Sequence, residues 1–182
     1  MKLLLYGPPG AGKDTQGHLL AAQYKVPFIS TGHLLREEMA RPSELGQAIV
    51  PYMHAGDMVP HDLVNQVMER ALSQPTVRRG YVLNGFPRTA RTAAWYLARE
   101  KPDLALVIDV PEPALRFRLM LRARFDDHPG AIDKRLELFR THAPDVLAAL
   151  TKAGVPILRV DGSGEVRAVT GRVQKALARP VR

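Results

Sequence analysis

Five short apolar runs divide the chain, and the longer stretches between them carry apolar residues at every third or fourth position. Short apolar runs indicate buried strands, and the longer spacing indicates amphipathic helices. Alternating strands and helices are typical of a parallel sheet covered by helices. The predicted strands are Leu3–Tyr6, Pro27–Ile29, Tyr81–Leu83, Leu104–Val110 and Ile157–Val160. The sequence therefore predicts an α/β fold with a five-stranded parallel sheet flanked by helices.

Seven helices are predicted between and after these strands. They are Asp14–Tyr24, Thr31–Ala40, His61–Leu72, Arg91–Arg99, Glu112–Leu121, Gly130–Ala153 and Glu165–Ala178. Right-handed crossovers place the loops after successive strands at one edge of the sheet, where ligands bind. No repeat or Ser/Gly linker marks a second domain.

We expect one domain over residues 1–182, with a core of 1–29, 60–121 and 130–182. A helical insertion is expected at about 30–59, with Pro42, Pro51 and Gly56 as helix breakers. A second, very short excursion is expected at about 122–129.

Charge and composition narrow the class of partners. The net charge is +8, but the arginines are scattered singly and only 6% of residues are aromatic, which favours small phosphorylated molecules over nucleic acid. There is no cysteine, so disulfides and thiolate zinc sites are excluded. No apolar stretch approaches the roughly 20 residues of a membrane helix. A cytoplasmic protein without a membrane, zinc or nucleic-acid partner is expected.

Positions 7–13, Gly-Pro-Pro-Gly-Ala-Gly-Lys, follow an apolar strand and precede a helix, which is the context of a P-loop. Glycines let successive N–H groups and the helix N-terminus converge on phosphate oxygens, and Lys13 adds a positive charge to the terminal phosphates. A Gly/Pro-rich turn with an exposed lysine is the alternative. Because position, glycine spacing and lysine all agree, the segment predicts phosphate binding.

Asp14 follows Lys13, where most P-loops carry Ser, Thr or Gly. A carboxylate there repels a triphosphate unless a cation lies between them. Asp14 is therefore either a magnesium contact or a burden on nucleotide binding.

Four further segments follow the P-loop in a fixed order. They are 30–36 (STGHLLR), 56–59 (GDMV), 83–89 (LNGFPRT), and 124–127 (RFDD) with 134–136 (KRL). With these motifs the chain resembles the adenylate kinases, a family of nucleoside monophosphate kinases, over nearly its whole length. The resemblance implies a P-loop NTPase fold, in which 30–59 binds the nucleoside monophosphate (NMP) and 122–129 is a very short lid. It also implies a monomer that transfers the terminal phosphate of MgATP to AMP, giving two ADP.

The resemblance assigns residues to each ligand. For ATP these are Gly10, Ala11, Gly12, Lys13, Asp14, Thr15, Arg118, Arg122 and Gly164. For AMP they are Thr31, Arg36, Asp57, Met58, Val59, Gly85, Phe86, Pro87, Arg88, Thr92, Arg124 and Arg135. The catalytic residues it implies are Lys13, Arg88, Arg122, Arg124 and Arg135, while Asp126 and Asp127 orient arginines rather than act as bases. Arginine forks suit this work, because they bind phosphate through two parallel hydrogen bonds.

The chain departs from the family at several positions. His33 and Asn84 stand where Asp is usual, and Asp14 stands where Gly is usual. Our hypothesis is that Asp14 takes over part of the metal-ordering role that His33 and Asn84 cannot fill. Thr92 stands where Gln is usual, and a short hydroxyl reaches less of a base than an amide does.

Three other functions stay open. The chain could be a kinase with a different or broader acceptor base, such as CMP or UMP. It could be a catalytically impaired relative that binds nucleotide, or a protein that binds RNA through its basic surface.

Overall fold

A computed structural model describes residues 1–122, 124 and 127–178, and it forms one parallel sheet with helices on both faces. The strands are β1 (Lys2–Tyr6), β2 (Phe28–Ser30), β3 (Tyr81–Asn84), β4 (Leu104–Asp109) and β5 (Ile157–Asp161). Their order is β2-β3-β1-β4-β5, with every neighbouring pair parallel. All five predicted strands are confirmed, with ends that differ by a residue or so.

The described helices include each of the seven predicted. They are α1 (Lys13–Tyr24), α2 (Thr31–Met39), α3 (Glu44–Ala55), α4 (His61–Leu72), α5 (Ala90–Leu97), α6 (Glu112–Arg122), α7 (Pro129–Lys152) and α8 (Val166–Leu177). A 3₁₀ turn at Pro75–Arg79 precedes β3. Neither α3 nor this turn is among the individually predicted helices.

Both faces of the sheet are buried, so the strands are apolar at successive positions. Leu4 and Tyr6 of β1 pack in the larger core cluster, which contains Val146 and Leu150 of α7. Leu3 and Leu5 pack in a second cluster with Leu20 of α1 and the α8 valines. This packing fixes β1 at the centre of the sheet, with the order reversing on either side of it. A crevice therefore opens beyond its carboxyl end.

The expectation that Pro51 breaks a helix is wrong, because Pro51 lies inside α3. A proline inside a helix removes one backbone hydrogen bond, but capping and burial hold the rest of α3 in place. The Ser43 hydroxyl caps its start by accepting from the Gly46 N–H at 3.0 Å, and Ile49 is fully buried. The helix ends at Gly56, whose φ of 70° suits a glycine cap. Pro42 and Gly56 flank α3 as expected.

The connection between α6 and α7 is only partly described. Asp126, which was expected to orient arginines, lies outside the described residues. The division into core, insertion and lid stays a prediction. Among the described helices, none is long and apolar enough to cross a membrane.

Candidate functional site

A cavity of about 1170 Å³ opens beyond the carboxyl ends of β1, β2 and β3. It is the place where the strand order predicts a ligand. Every residue predicted to contact ATP or AMP lines it. These are Gly10, Ala11, Gly12, Lys13, Asp14, Thr15, Thr31, Arg36, Asp57, Met58, Val59, Gly85, Phe86, Pro87, Arg88, Thr92, Arg118, Arg122, Arg124, Arg135 and Gly164. The fold therefore brings together side chains that are separated by as many as 154 positions in the sequence.

The P-loop connects β1 to α1 at the centre of this cavity. Gly7 and Gly10 have positive φ angles, and a Cβ atom on them would lie 2.5 Å from the Ile108 carbonyl oxygen and 2.9 Å from the Leu115 carbonyl oxygen. Only glycine fits this approach. Gly12, with φ of 88°, ends the loop as the N-cap residue directly before α1. The backbone N–H groups at the start of α1 form a ready anion site.

Lys13 is the first residue of α1, and its ammonium group donates to the Pro8 carbonyl at 2.7 Å across the loop. Burial lowers the pKa of Lys13 to about 7, with repulsion from Arg88 as the next contribution. An ammonium group at the margin of ionisation is stabilised when a phosphate binds beside it. This lysine is therefore poised to gain a full charge together with its ligand.

Asp14 lies beside Lys13 and accepts hydrogen bonds from two neighbouring strand ends. The Asn84 amide donates to its Oδ1 at 2.7 Å and the Ser30 hydroxyl at 3.2 Å, because Ser30 and Asn84 are paired across β2 and β3. Its Oδ2 faces the Arg124 guanidinium at 3.4 Å. Burial alone would raise the pKa of Asp14, but the Asn84 hydrogen bond and the charge of Arg124 hold it below the usual value. Asp14 is thus kept ionised.

Asp127 gathers the arginines of the α6–α7 end of the cavity. Arg122 donates to both of its oxygens at 2.6 and 2.7 Å, and Arg135 donates to Oδ1 at 2.6 Å. The Arg124 backbone N–H donates to Oδ2 at 3.2 Å. Burial opposes ionisation, but the two arginines lower the pKa of Asp127 to about 2. This carboxylate orients arginines, as the sequence predicted.

The opposite end of the cavity is built by the loop after β3 and by α2. The Arg88 Nε donates to the Gly85 carbonyl at 2.9 Å, which fixes the position of the Arg88 guanidinium group. Thr31 is buried, and its hydroxyl donates to the Met68 sulfur at 3.3 Å. Arg36 lies on α2 and also lines this end. Arg36 and Arg88 therefore both line this end of the cavity.

Thr92 is buried in the first turn of α5, where its hydroxyl completes a capping box with Thr89, the N-cap residue. Oγ1 accepts from the backbone N–H groups of Arg88 at 3.1 Å and Thr89 at 3.0 Å, and it donates to the Thr89 carbonyl at 3.0 Å. A hydroxyl has one proton and two lone pairs, so these three bonds use all of them. In this arrangement Thr92 supports the loop that carries Arg88.

A third corner of the cavity lies at the turn after β5. The Arg118 guanidinium donates to the carbonyls of Gly162 at 3.0 Å and Gly164 at 3.1 Å. Gly164 has φ of 88°, a conformation that favours glycine. The contact ties α6 to the edge of the cavity nearest the P-loop helix.

His33 does not lie in the cavity lining. Its side chain is 65% exposed and faces Glu37 one helical turn later, with 3.4 Å between Nε2 and Oε1. The sequence grouped His33 with Asn84 and Asp14 as altered metal-ordering positions, but the structure brings only Asn84 and Asp14 together. His33 lies on the face of α2 that points to solvent, which separates it from Asn84 and Asp14.

Sequence reasoning missed several contacts that join the end of α3 and the residues after it to the start of α7. The Lys134 ammonium lies 2.5 Å from an Asp57 oxygen. His128 caps α7 by accepting from the Ala131 N–H at Nδ1, so its Nε2 is the donor to the His54 carbonyl at 3.2 Å. Of these residues, His128 alone had a local sequence signal, because it directly precedes Pro129 at the start of a helix. The cavity lining also includes His61, Arg91 and His142, which were not predicted.

Comparison with known proteins agrees with this geometry. The family model described as adenylate kinase matches residues 5–155. An adenylate kinase from Nocardia farcinica is 37% identical over 184 residues, covering 98% of this chain and 100% of that protein. Adenylate kinases from Xanthomonas oryzae pv. oryzae (36% over 188 residues, 98% and 100%) and Trichodesmium erythraeum (33% over 185 residues, 96% of each) are similar throughout. The chain therefore belongs to the adenylate kinase family of nucleoside monophosphate kinases.

Proposed function

We propose that this protein transfers the terminal phosphate of MgATP to AMP in one reversible step, giving two ADP. The observation that carries the proposal is a single cavity with a P-loop in the middle, Arg36 and Arg88 at one end, and Arg122, Arg124 and Arg135 beside the loop. Phosphoryl transfer depends on positioning and on stabilising charge, and cationic side chains supply both.

The donor end suits ATP. The N–H groups of the P-loop and of the first turn of α1 donate hydrogen bonds to phosphate oxygens, and the Lys13 ammonium leaves the Pro8 carbonyl to donate to the same phosphates. Arg118, held by the Gly162 and Gly164 carbonyls, offers the flat face of its guanidinium group to the adenine. Arg122 adds charge near the terminal phosphate, in an orientation that Asp127 fixes.

The acceptor end suits a nucleoside monophosphate. Arg36 and Arg88 hold its dianionic phosphate, and the segment 57–59 borders the space for the rest of the nucleotide. Arg124 and Arg135 approach from the other side, so that the moving phosphoryl group lies among cations throughout. No covalent enzyme intermediate is required, because donor and acceptor occupy the same cavity.

The residues beside the P-loop fit a magnesium ion carried by ATP. Magnesium in nucleotide sites takes one or two carboxylates together with phosphates and waters. Asp14 offers an ionised carboxylate next to the phosphate cradle, and Thr15 follows it in the cavity lining. When bound, the ion neutralises developing phosphate charge. With no cysteine in the chain, a thiolate zinc site in the lid is excluded.

The test is to incubate the purified protein with MgATP and each of AMP, GMP, CMP and UMP, and to follow diphosphate formation by chromatography. We expect ADP from AMP. Lys13→Met should reduce the rate by about 100-fold or more, because one preorganised cation at the transferring group is lost. Measurable ATP binding without diphosphate from any acceptor would instead indicate a nucleotide-binding relative that lacks transfer activity.

A broader choice of acceptor base is a second candidate, and the Thr92 geometry favours it. The Thr92 hydroxyl is saturated by backbone groups, and the Thr31 hydroxyl donates its proton to Met68, so neither offers a free donor to an acceptor base. Sites that discriminate by fit alone reach about 10- to 200-fold, against about 10⁴-fold or more for hydrogen-bonded recognition. A modest ratio of kcat/KM between AMP and the other acceptors would support this candidate, whereas a ratio above about 10⁴ would exclude it.

A further inference from the structure

Asp14 places a carboxylate beside the P-loop in the cavity lining. The acidic residues among the described part of the lining are Asp14, Asp57 and Glu165. Asp57 belongs to the insertion and pairs with Lys134, and Glu165 precedes α8 on the far side of the 162–164 turn. Of these three, Asp14 is the one that adjoins the phosphate-binding lysine. Its charge repels a bound triphosphate unless a cation compensates it.

The structure holds Asp14 rigidly in this position. Its Oδ1 accepts from Asn84 and Ser30, both at carboxyl ends of strands, and the start of a helix adds further stabilisation of the anion. Among the described residues, its Oδ2 has one long contact, 3.4 Å, with Arg124, and the side chain is 37% exposed. One oxygen is therefore fixed by the sheet while the other faces the cavity.

Asp14 and Asn84 are complementary partners. Asn84 is 93% buried, with 7% of its surface exposed, and its Nδ2 lies 2.7 Å from Asp14 Oδ1. Within the described part of the chain, its own Oδ1 has no hydrogen-bond partner. Two carboxylates at this separation would repel each other. The two positions therefore accommodate one negative charge, and an amide at either one stabilises a carboxylate at the other.

We propose that Asp14, held by Asn84 and Ser30, supplies the carboxylate that positions the water shell of the divalent cation bound with ATP, and that positions 14 and 84 share one negative charge for this purpose. The inference rests on the proposed function, because it requires ATP to bind with a divalent cation. Asn84 is a positioning residue in this arrangement, and Asp14 acts through cation-bound water.

The experiment measures ATP binding by calorimetry without an acceptor, in excess Mg²⁺ and in chelator. The quantity of interest is the dissociation constant of ATP in chelator divided by that in excess Mg²⁺. This ratio measures how much the cation strengthens ATP binding. In Asp14→Asn the ratio should fall about 10-fold, since one charged contact to the cation shell is lost. Binding of metal-free ATP should become tighter, because a negative charge beside the phosphates has been removed. Asp145→Asn, on the exposed side of α7, makes the same change in net charge away from the cavity and should leave the ratio unchanged.

The charge exchange provides the decisive variant. Asp14→Asn/Asn84→Asp moves the carboxylate across one hydrogen bond and should restore most of the magnesium effect. Asn84→Asp alone puts two carboxylates together, so it should weaken metal-free ATP binding and increase the ratio. If Asp14→Asn fails to fold, this single variant decides instead. An unchanged ratio in Asp14→Asn, no recovery in a folded double variant, or unchanged affinities in Asn84→Asp would overturn the proposal.

These outcomes are independent of phosphoryl transfer. A protein that shows the predicted magnesium effects but phosphorylates no acceptor would refute the proposed function and leave the role of Asp14 in place. A protein that makes ADP from AMP while Asp14→Asn keeps its magnesium dependence would do the reverse.

Discussion

Arg122 holds Asp127 through two hydrogen bonds, from Nε to Oδ2 at 2.7 Å and from the terminal nitrogen to Oδ1 at 2.6 Å. The same Oδ1 also accepts from Arg135, so a single buried carboxylate sets the direction of two cavity arginines. Because these bonds both join two helices and orient cavity arginines, losing them should affect stability and catalysis alike. It links the end of α6 to the second turn of α7.

Asp127→Asn should therefore lower both stability and activity. Losing the charge removes charge-assisted bonds to two arginines, at a cost of about 2 kcal/mol in the free energy of unfolding. The kcat should fall while AMP binding changes less, since the arginines at the transfer position lose their orientation. Urea unfolding and steady-state kinetics measure the two effects. Asp133→Asn is the matched control, because that exposed acid on α7 pairs with Arg116 at the solvent-exposed surface and its loss should change stability little.

The pH dependence of stability follows from the same carboxylate. The pKa of Asp127 falls from an ordinary 3.8 to about 2 in the folded protein. A lowered pKa in the folded state means that the stabilisation is complete above the ordinary value and is lost as the pH falls through about 2. Between pH 5 and pH 2, Asp127→Asn should lose less stability than the parent protein. Parallel losses in both proteins would contradict this assignment.

ATP binding should take up a proton near neutral pH. The pKa of Lys13 is about 7 in the empty cavity, chiefly because of burial, and a bound triphosphate raises it. At pH 8 most free protein carries a neutral lysine, so binding must protonate it. Affinity should fall by up to about 10-fold for each pH unit above 7. Calorimetry at pH 8 in two buffers of different ionisation enthalpy measures the uptake.

Lys13→Met is the control for this proton uptake. It should bind ATP more weakly and show little uptake at pH 8. Equal uptake in the variant and the parent protein would assign the proton to another group.

Two glycines with different surroundings test how the end of α3 packs against α7. A Cβ on Gly56 would lie 2.7 Å from the Ala131 Cβ, and its φ of 70° disfavours other residues. Gly56→Ala should cost about 1–2 kcal/mol in stability and weaken AMP binding, because segment 57–59 is displaced from α7. In contrast, a Cβ on Gly171 of α8 meets no heavy atom within 4 Å. Gly171→Ala should stabilise the protein by about 0.5–1 kcal/mol. Urea unfolding that gives the two variants the same sign would contradict this account.

The strands and the P-loop could be predicted from sequence because their signals are local. A buried strand needs only consecutive apolar residues, and the cradle needs glycines at fixed spacing before a lysine. Pro51 shows the limit of local rules, since a fixed helix start and a buried Ile49 keep α3 intact across a residue that usually ends helices. Local propensity was outweighed there by packing and capping.

Contacts between distant residues were beyond a single sequence. Asp14 and Asn84 are 70 positions apart, and only the pairing of β2 with β3 shows that both meet Ser30. His33 is close to Ser30 in the sequence, yet its helix turns it outward. For Thr92, sequence could suggest a shorter reach toward a base, but not that its hydroxyl is used by backbone groups.

The donor lysine and the acceptor arginine are electrostatically coupled, and Arg88→Met tests the coupling. Arg88 lowers the pKa of Lys13, so removing its charge should raise that pKa and leave more lysine protonated at pH 8. ATP should then bind more tightly at pH 8, and its affinity should begin to fall at a higher pH. Diphosphate formation from AMP should nevertheless fall by about 100-fold or more, because one arm of the phosphate clamp is gone.

Arg88→Lys separates charge from geometry. It keeps the repulsion on Lys13, so the pH dependence of ATP binding should match that of the parent protein, but it cannot bind phosphate through two parallel hydrogen bonds. Activity with AMP should therefore fall while the ATP profile stays in place. An ATP profile shifted equally by both variants would mean that Arg88 acts on Lys13 by packing, whereas a shift in the methionine variant alone would establish that its charge tunes the lysine.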